Sequence, residues 1–307
     1  MNKTEIKRVI DKLEPSNGME YRLSREIQQK RNKKLRLKPV ISIAASLVMV
    51  IGIGIWGNYL INRNPSTSTN KISTEGIYIP KVELPKNNGT GVEMDMIGLI
   101  VYQGRIYTET GTKIDSKSAE KLLDEKLGTT KSGIDEFSKQ ENYAVEFAST
   151  IGVQDVYSVK GYDKTFRIMA FATENGRIYN ARFYECLNGI TVKTGADMFD
   201  KLKLDDRINK VRYENYESWN NGKQQFKEFV KIQALNSFIN ELKNTIPYKQ
   251  ESLSYLFEVT KQKFVYIYLN DGSEVQLRLF DGGYIYYGHL FFKMKDEAFN
   301  LLWKELQ

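Results

Sequence analysis

The 307-residue chain is 41% hydrophobic and 12% aromatic, enough apolar material for one or two ordinary cores. One cysteine, Cys186, excludes an internal disulfide, and one histidine, His289, excludes a histidine cluster for a metal or a relay. The net charge of +7 is local: residues 1–39 hold 12 Lys+Arg against 5 Asp+Glu, and the remainder holds 33 of each. No nucleic-acid-binding face is therefore expected.

Residues 1–38 read as a basic head of two short helices. Ile6, Val9, Ile10 and Leu13 fall at i, i+3, i+4 and i+7, one apolar stripe. Pro15 and Gly18 interrupt it, and Asn17 with Glu20 forms a capping pair for a second helix. That helix carries the thinner stripe Met19, Leu23 and Ile27 before the chain turns strongly basic. A segment this short cannot close a core of its own, so its stripes must face something. The seven apolar residues are the candidate partner-binding set; the bland reading is a basic segment lying on lipid headgroups.

Residues 39–61 are expected to form a transmembrane helix. Val40 to Ile61 carries no charge over 22 residues. At ~1.5 Å per residue it would reach ~33 Å, matching a hydrocarbon core of ~30 Å. Lys33, Lys34, Arg36 and Lys38 crowd its start, and Trp56 and Tyr59 lie near its end, where amphipathic rings favour an interface. The charge bias predicts a single-pass cell-membrane protein, N-terminus cytoplasmic and C-terminus extracellular, with the lipid bilayer as one partner. The run is too long for a signal peptide and no small-x-small site closes it, so a retained anchor is expected.

The stretch IDKLEPSNGMEYRLSREI (residues 10–27), the basic run and the single apolar span together resemble the zinc-free, single-pass membrane anti-sigma factors of Firmicutes, regulators of extracytoplasmic-function sigma factors. The resemblance covers about the first 60 residues. It implies a cytosolic head that sequesters a sigma factor and an outer domain that senses an envelope signal. Residues 1–38 contain neither His nor Cys, which excludes a zinc-binding head. Low Pro with abundant Lys, Asn, Ile and Tyr also looks like the usage of an AT-rich Gram-positive genome.

Residues 62–92 hold three of the six prolines among many Ser, Thr, Asn and Gly, the composition of an extracellular linker. Beyond it the chain predicts an α+β extracellular domain of antiparallel sheets with packed helices, in two subdomains, 93–205 and 206–307. In the first, Met96–Tyr102 and Ile106–Thr108 flank a hairpin turn and a helix is expected near Ser118–Leu127. Strands follow at Asp155–Val159, Phe166–Ala172 and Ile178–Cys186, and a short helix over 195–203. In the second, a strand near Lys210–Tyr216 leads to a helix at Ile232–Leu242. Strands at Phe264–Leu269, Glu274–Phe280 and Tyr284–Tyr287 and a helix at Met294–Leu306 complete it.

The chemistry-bearing motifs are few. Neither a dinucleotide-binding nor a phosphate-loop glycine pattern is present. Cys186 on an apolar strand reads as a structural thiol. No carboxylate spacing marks a glycosidase pair. Seventeen tyrosines follow the apolar span, Tyr284, Tyr286 and Tyr287 among them; they suggest a carbohydrate platform, but alternation along strands favours sheet packing. No catalytic residue, cofactor or metal is expected, and the chain is read as a non-enzymatic regulator with an unknown extracellular ligand. The competing reading is a membrane-tethered binding protein for cell wall, lipid or antimicrobial peptide, with no transcriptional role.

Overall fold

Two-residue turns with left-handed backbone punctuate the C-terminal part of the chain and fold its apolar runs into hairpins. Gln103-Gly104 and Asn175-Gly176 have φ values of 50° and 64°, and 51° and 73°, the positive pairs that match the twist of flanking strands. The computed structural model describes residues 76–81, 97–135, 138 and 140–307. Its first half runs β1 (Ile77–Ile79), β2 (Leu99–Tyr102), β3 (Arg105–Thr108), β4 (Thr112–Ile114), α1 (Ser116–Leu122), β5 (Leu123–Thr129), β6 (Ser132–Gly133), β7 (Ala148–Ser149), β8 (Asp155–Val159), β9 (Arg167–Glu174), β10 (Arg177–Glu185), β11 (Ile190–Val192) and α2 (Ala196–Phe199). The second runs β12 (Ile208–Asn215), α3 (Tyr216–Asn220), β13 (Lys227–Glu228), α4 (Ile232–Leu242), β14 (Ile246–Lys249), β15 (Gln262–Leu269), β16 (Ser273–Phe280), β17 (Tyr284–Tyr287), β18 (Leu290–Lys293) and α5 (Asp296–Trp303).

The strands form two large sheets and a β1–β11 pair. The first sheet has the order β5-β8-β9-β10-β3-β2-β7-β6, and the second β13-β12-β15-β16-β17-β18-β14. β4 leaves the first half to pair with Ser273–Val275 of β16, beyond the stretch of β16 that β17 covers. In the second sheet the side chains alternate between faces. Val211 and Tyr213, Val265, Ile267 and Leu269, and Val275, Leu277 and Leu279 point inward and are buried. Phe238, Ile239 and Leu242 of α4 and Phe299 and Leu302 of α5 join the same cluster, as do Met169, Phe171 and Phe183 of the first sheet. One core therefore serves both halves.

Polar ties cross the same boundary. Arg167 and Glu185 are cross-strand partners on β9 and β10, both fully buried, joined at 2.9 Å through Nε and 2.5 Å through Nη2 to the same carboxylate oxygen. The other oxygen of Glu185 accepts from the hydroxyls of Thr110 at 2.8 Å and Tyr287 at 2.9 Å, the latter on β17 of the second sheet. The Arg167 guanidinium also lies 4.0 Å from the ring centre of Tyr162 and 4.7 Å from that of Phe183. Burial, with the Glu185 charge beside it, pushes the Tyr287 phenol well above its ordinary range.

Asp271, in the β15–β16 turn, makes a second tie. It accepts from Ser273 Oγ at 2.6 Å, from the Ser273 amide at 2.9 Å and from the Tyr162 hydroxyl at 2.9 Å, and it pairs with Arg207. Burial alone would raise its pKa, but these hydrogen bonds and the guanidinium outweigh burial and hold it below the ordinary value. A carboxylate held low in the folded state stabilises above its unfolded pKa of about 4 and loses that contribution as pH falls through the lower folded value. Asp271→Asn is expected to lower stability at neutral pH and to flatten the acid decline below about pH 4. Urea midpoints measured across that range check it; parallel wild-type and variant curves would contradict it.

Gly195 sets how closely α2 approaches the end of α4. Its amide donates to Thr245 O at 2.9 Å, and a Cβ there would overlap the Leu242 carbonyl oxygen and the Thr245 hydroxyl. Gly195→Ala is expected to cost about 2–3 kcal/mol, because backbone rather than a flexible side chain blocks the added carbon. An unchanged thermal midpoint would contradict this packing.

The architecture corrects the expected fold class. The described residues are 41% strand and 24% helix, a β-rich fold in place of the expected α+β. Among the described residues no helix is long and apolar enough to cross a membrane. The longest, α4, has 11 residues, about 16 Å at ~1.5 Å per residue and half of a hydrocarbon core. The reading as a transmembrane, single-pass cell-membrane protein with a cytoplasmic N-terminus and an extracellular C-terminus is therefore withdrawn. The two-helix head (1–38), the apolar run at Val40–Ile61 and most of residues 62–92 lie outside the described residues.

Smaller corrections concern individual elements. The helix expected at Ser118–Leu127 stops at Leu122, and Leu123–Thr129 pairs with β8 as a strand. The Leu122, Leu123 and Leu127 spacing imitates a helical stripe, but pairing along β8 overrides it. β18 and β14 were not expected. β18 follows from the Gly288-His289 turn, with φ of 57° and 66°, which sends the chain back along β17, and β14 pairs with its other edge.

Candidate functional site

The outer face of the second sheet carries the residues that alternate with its core. β12 contributes Arg212 and Glu214, β15 contributes Phe264, Tyr266 and Tyr268, and β16 contributes Glu274, Gln276 and Arg278. The register sets Tyr266 between Arg212 and Gln276, and Tyr268 beside Glu274, while Lys113 of β4 stands opposite Glu274. Two segments cover this face. At one end the 3-10 turn at Gln250–Glu258 lays Leu253, Leu256 and Phe257 on Phe280 and Phe291, a closed aromatic cluster. At the other end α3 and the loop after it fold back from β12 and leave a cleft.

α3 begins where Asn215 Oδ1 caps the Ser218 amide at 2.8 Å. One turn on, Trp219 stacks on Phe264, ring centres 4.1 Å apart and planes 10° from parallel. Phe226 then meets Tyr266 edge-on, at 5.2 Å and 89°. Arg278 lies behind the stack, its guanidinium 5.1 Å from the Phe264 ring centre and 5.2 Å from that of Trp219, with Nε donating to Gln262 at 2.7 Å. Burial pushes the Arg278 pKa down to about 10.

The cleft encloses about 400 Å³, within the range of small-ligand sites. Lys113, Glu214, Trp219, Gln224, Phe226, Tyr266, Tyr268, Glu274 and Gln276 line it. Glu214 forms the floor and is only 4% exposed. Each of its carboxylate oxygens accepts one hydroxyl, Oε2 from Ser218 and Oε1 from Tyr266, both at 2.6 Å. The Ser218 hydroxyl in turn accepts from the Gln225 amide at 2.8 Å, tying the loop to the floor. Burial and the Glu214 hydrogen bond raise the Tyr266 phenol far above its ordinary range, and burial and the Glu274 charge raise that of Tyr268. The phenols are thus neutral donors and platforms, not bases.

A second, smaller groove of about 270 Å³ runs between Phe199, Lys203 and Leu204 and the end of α4 at Ile239, Leu242 and Lys243. The Lys243–Asp205 ion pair, at 2.5 Å, borders it. It has one aromatic ring in its lining and no buried charged group.

No known family, curated protein or solved structure matches the chain.

Ile6, Val9, Ile10, Leu13, Met19, Leu23 and Ile27, the residues expected to bind a partner, lie outside the described residues. Among the described residues no group of three or more His, Cys, Asp or Glu could hold a metal ion. Cys186 is buried, and burial raises its thiol pKa, as befits a structural residue. His289 is an exposed turn residue. The tyrosines that suggested a platform are elsewhere: Tyr287 is in the Glu185 network, and Tyr286 packs on Phe257 and Phe291. The cleft uses Tyr266, Tyr268, Trp219 and Phe226 instead. The alternation of Phe264, Tyr266 and Tyr268 along β15 is the sequence signal that could have pointed to this face, and the sequence reading did not use it.

Proposed function

We propose that the chain is a non-enzymatic regulator whose β-rich unit binds a signal ligand in the cleft over Glu214 and whose segment 1–38 restrains a sigma factor. The observation that carries the binding half is the cleft itself, where half-exposed aromatic faces meet a buried carboxylate and two amides. Such a mixture orients a small polar ligand. The sigma-factor half is supported by the helical spacing of Ile6, Val9, Ile10 and Leu13 and by the resemblance of residues 10–27 to zinc-free anti-sigma heads.

Two experiments test the halves separately. Tryptophan emission of the full chain is followed during titration with organic amines, neutral saccharides, small anions and short peptides. At least one class should shift it, and Trp219→Phe should abolish the shift; silence to every class rejects the cleft reading. Tagged wild type should co-purify a sigma factor, and Ile10→Glu should lose it, because removing a desolvated apolar anchor costs an interface about 2 kcal/mol or more. Equal recovery with both, or none with the wild type, rejects the sigma-factor half. It leaves a binding protein with no transcriptional role.

A further inference from the structure

Resting on the reading of the cleft as a binding site, we infer that its ligand presents an organic cation, an alkylammonium or guanidinium group, to Glu214. The Glu214 carboxylate is almost wholly removed from water, and its partners are the neutral hydroxyls of Ser218 and Tyr266. Lys210, on the same strand, pairs with Glu228 at 3.7 Å instead. Burying a carboxylate without a counter-charge is costly, and proteins repay that cost with a paired cation.

The other charges nearby are already faced. Lys113 and Glu274 are directly opposed across the β4–β16 pair, and Arg212 has its guanidinium 5.8 Å from the Tyr268 ring centre. Lys113 is exposed at the rim, where its ammonium stays hydrated. Of the three charged lining residues, Glu214 alone lacks an opposite charge across the strands.

The walls suit the same ligand. Phe226 and Tyr266 stand at right angles, and Trp219 is held flat by Phe264, so electron-rich ring faces border the floor on more than one side. Ring faces attract a weakly hydrated cation, and the attraction grows when water is excluded. A saccharide would use the rings and the Gln224 and Gln276 amides, but it would leave Glu214 without its counter-charge. An anion would meet two carboxylates. The shared chemistry of a free amine and of a lysine or arginine side chain in a peptide is the positive group, and both sources fit it.

The test is calorimetric titration of the full chain with choline, with the uncharged alcohol in which tert-butyl replaces trimethylammonium, and with a tripeptide bearing a central trimethyllysine. Choline or the peptide should bind at least about 10-fold more tightly than the alcohol. Tighter binding by the peptide identifies a side chain as the source, and tighter binding by choline a small molecule; either supports the cation. Glu214→Gln, close in shape, should remove the preference while leaving the alcohol's affinity in place. Should that variant fail to fold, Phe226→Ala, at a more exposed wall, should weaken choline several-fold. Equal affinity for choline and the alcohol, or a preference that survives Glu214→Gln, overturns the inference and leaves the cleft reading intact. Binding by neither cation also overturns it, and the cleft reading then falls only if saccharides and anions leave the tryptophan emission unchanged as well.

Discussion

Arg167→Ala is expected to lower the free energy of unfolding by about 3–5 kcal/mol, a large part of the total for an ordinary domain. The variant strands the Glu185 carboxylate in a site with no exposure, and it removes the group that Tyr162 and Phe183 pack around. The hydroxyls of Thr110 and Tyr287 remain, but neutral donors do not replace a guanidinium. Arg167→Met separates charge from packing. It restores most of the apolar stem, so a loss close to that of alanine assigns the effect to the stranded charge. Near wild-type urea midpoints for both variants would show that the β9–β10 pair and its link to β17 do not hold the two sheets together.

Phe292→Ala is expected to cost a similar 3–5 kcal/mol by a different route, a cavity. Phe292 is fully buried on β18, with its ring 4.8 Å from that of Phe199, and belongs to the cluster shared by both halves. Its neighbours come from a strand, a short helix and the first half of the chain, so the site cannot close by moving one element. Because the cavity and the Arg167 network lie in one core, the two variants should unfold the described unit in a single transition. Two separate transitions would show that the halves fold independently.

Much of the strand content was legible from the residues. β8, β9, β10, β15, β16 and β17 lie close to where turn signals and period-two alternation put them, and α4 occupies the residues its apolar stripe marks. Local pattern failed where long-range pairing decides. Leu123–Thr129 carries leucines at helical spacing yet pairs with β8, and β4 crosses from one half to the edge of β16, a partnership no local spacing announces. The expected membrane helix rested on a charge-free apolar run with basic and aromatic flanks, which lies outside the described residues, and the helices among the described residues are short. The cleft was missed for a related reason. Phe264, Tyr266 and Tyr268 announce an aromatic face, but that α3 folds back to stack Trp219 on it is a tertiary fact. Glu214, one carboxylate among 38 acidic residues, carries no mark in the sequence of being buried beneath that stack.

The measurement that bears most directly on the cleft as the binding site is amide and indole chemical-shift mapping of the isotopically labelled full chain during titration with choline. The largest changes should fall on the Trp219 indole, on Gln224 and Phe226, and on Tyr266, Tyr268 and Gln276, with little change beside Phe199 and Lys243. No saturable change at the residues around Glu214 would contradict the inferred cation, and changes centred on the Phe199–Lys243 groove would contradict the cleft as the binding site.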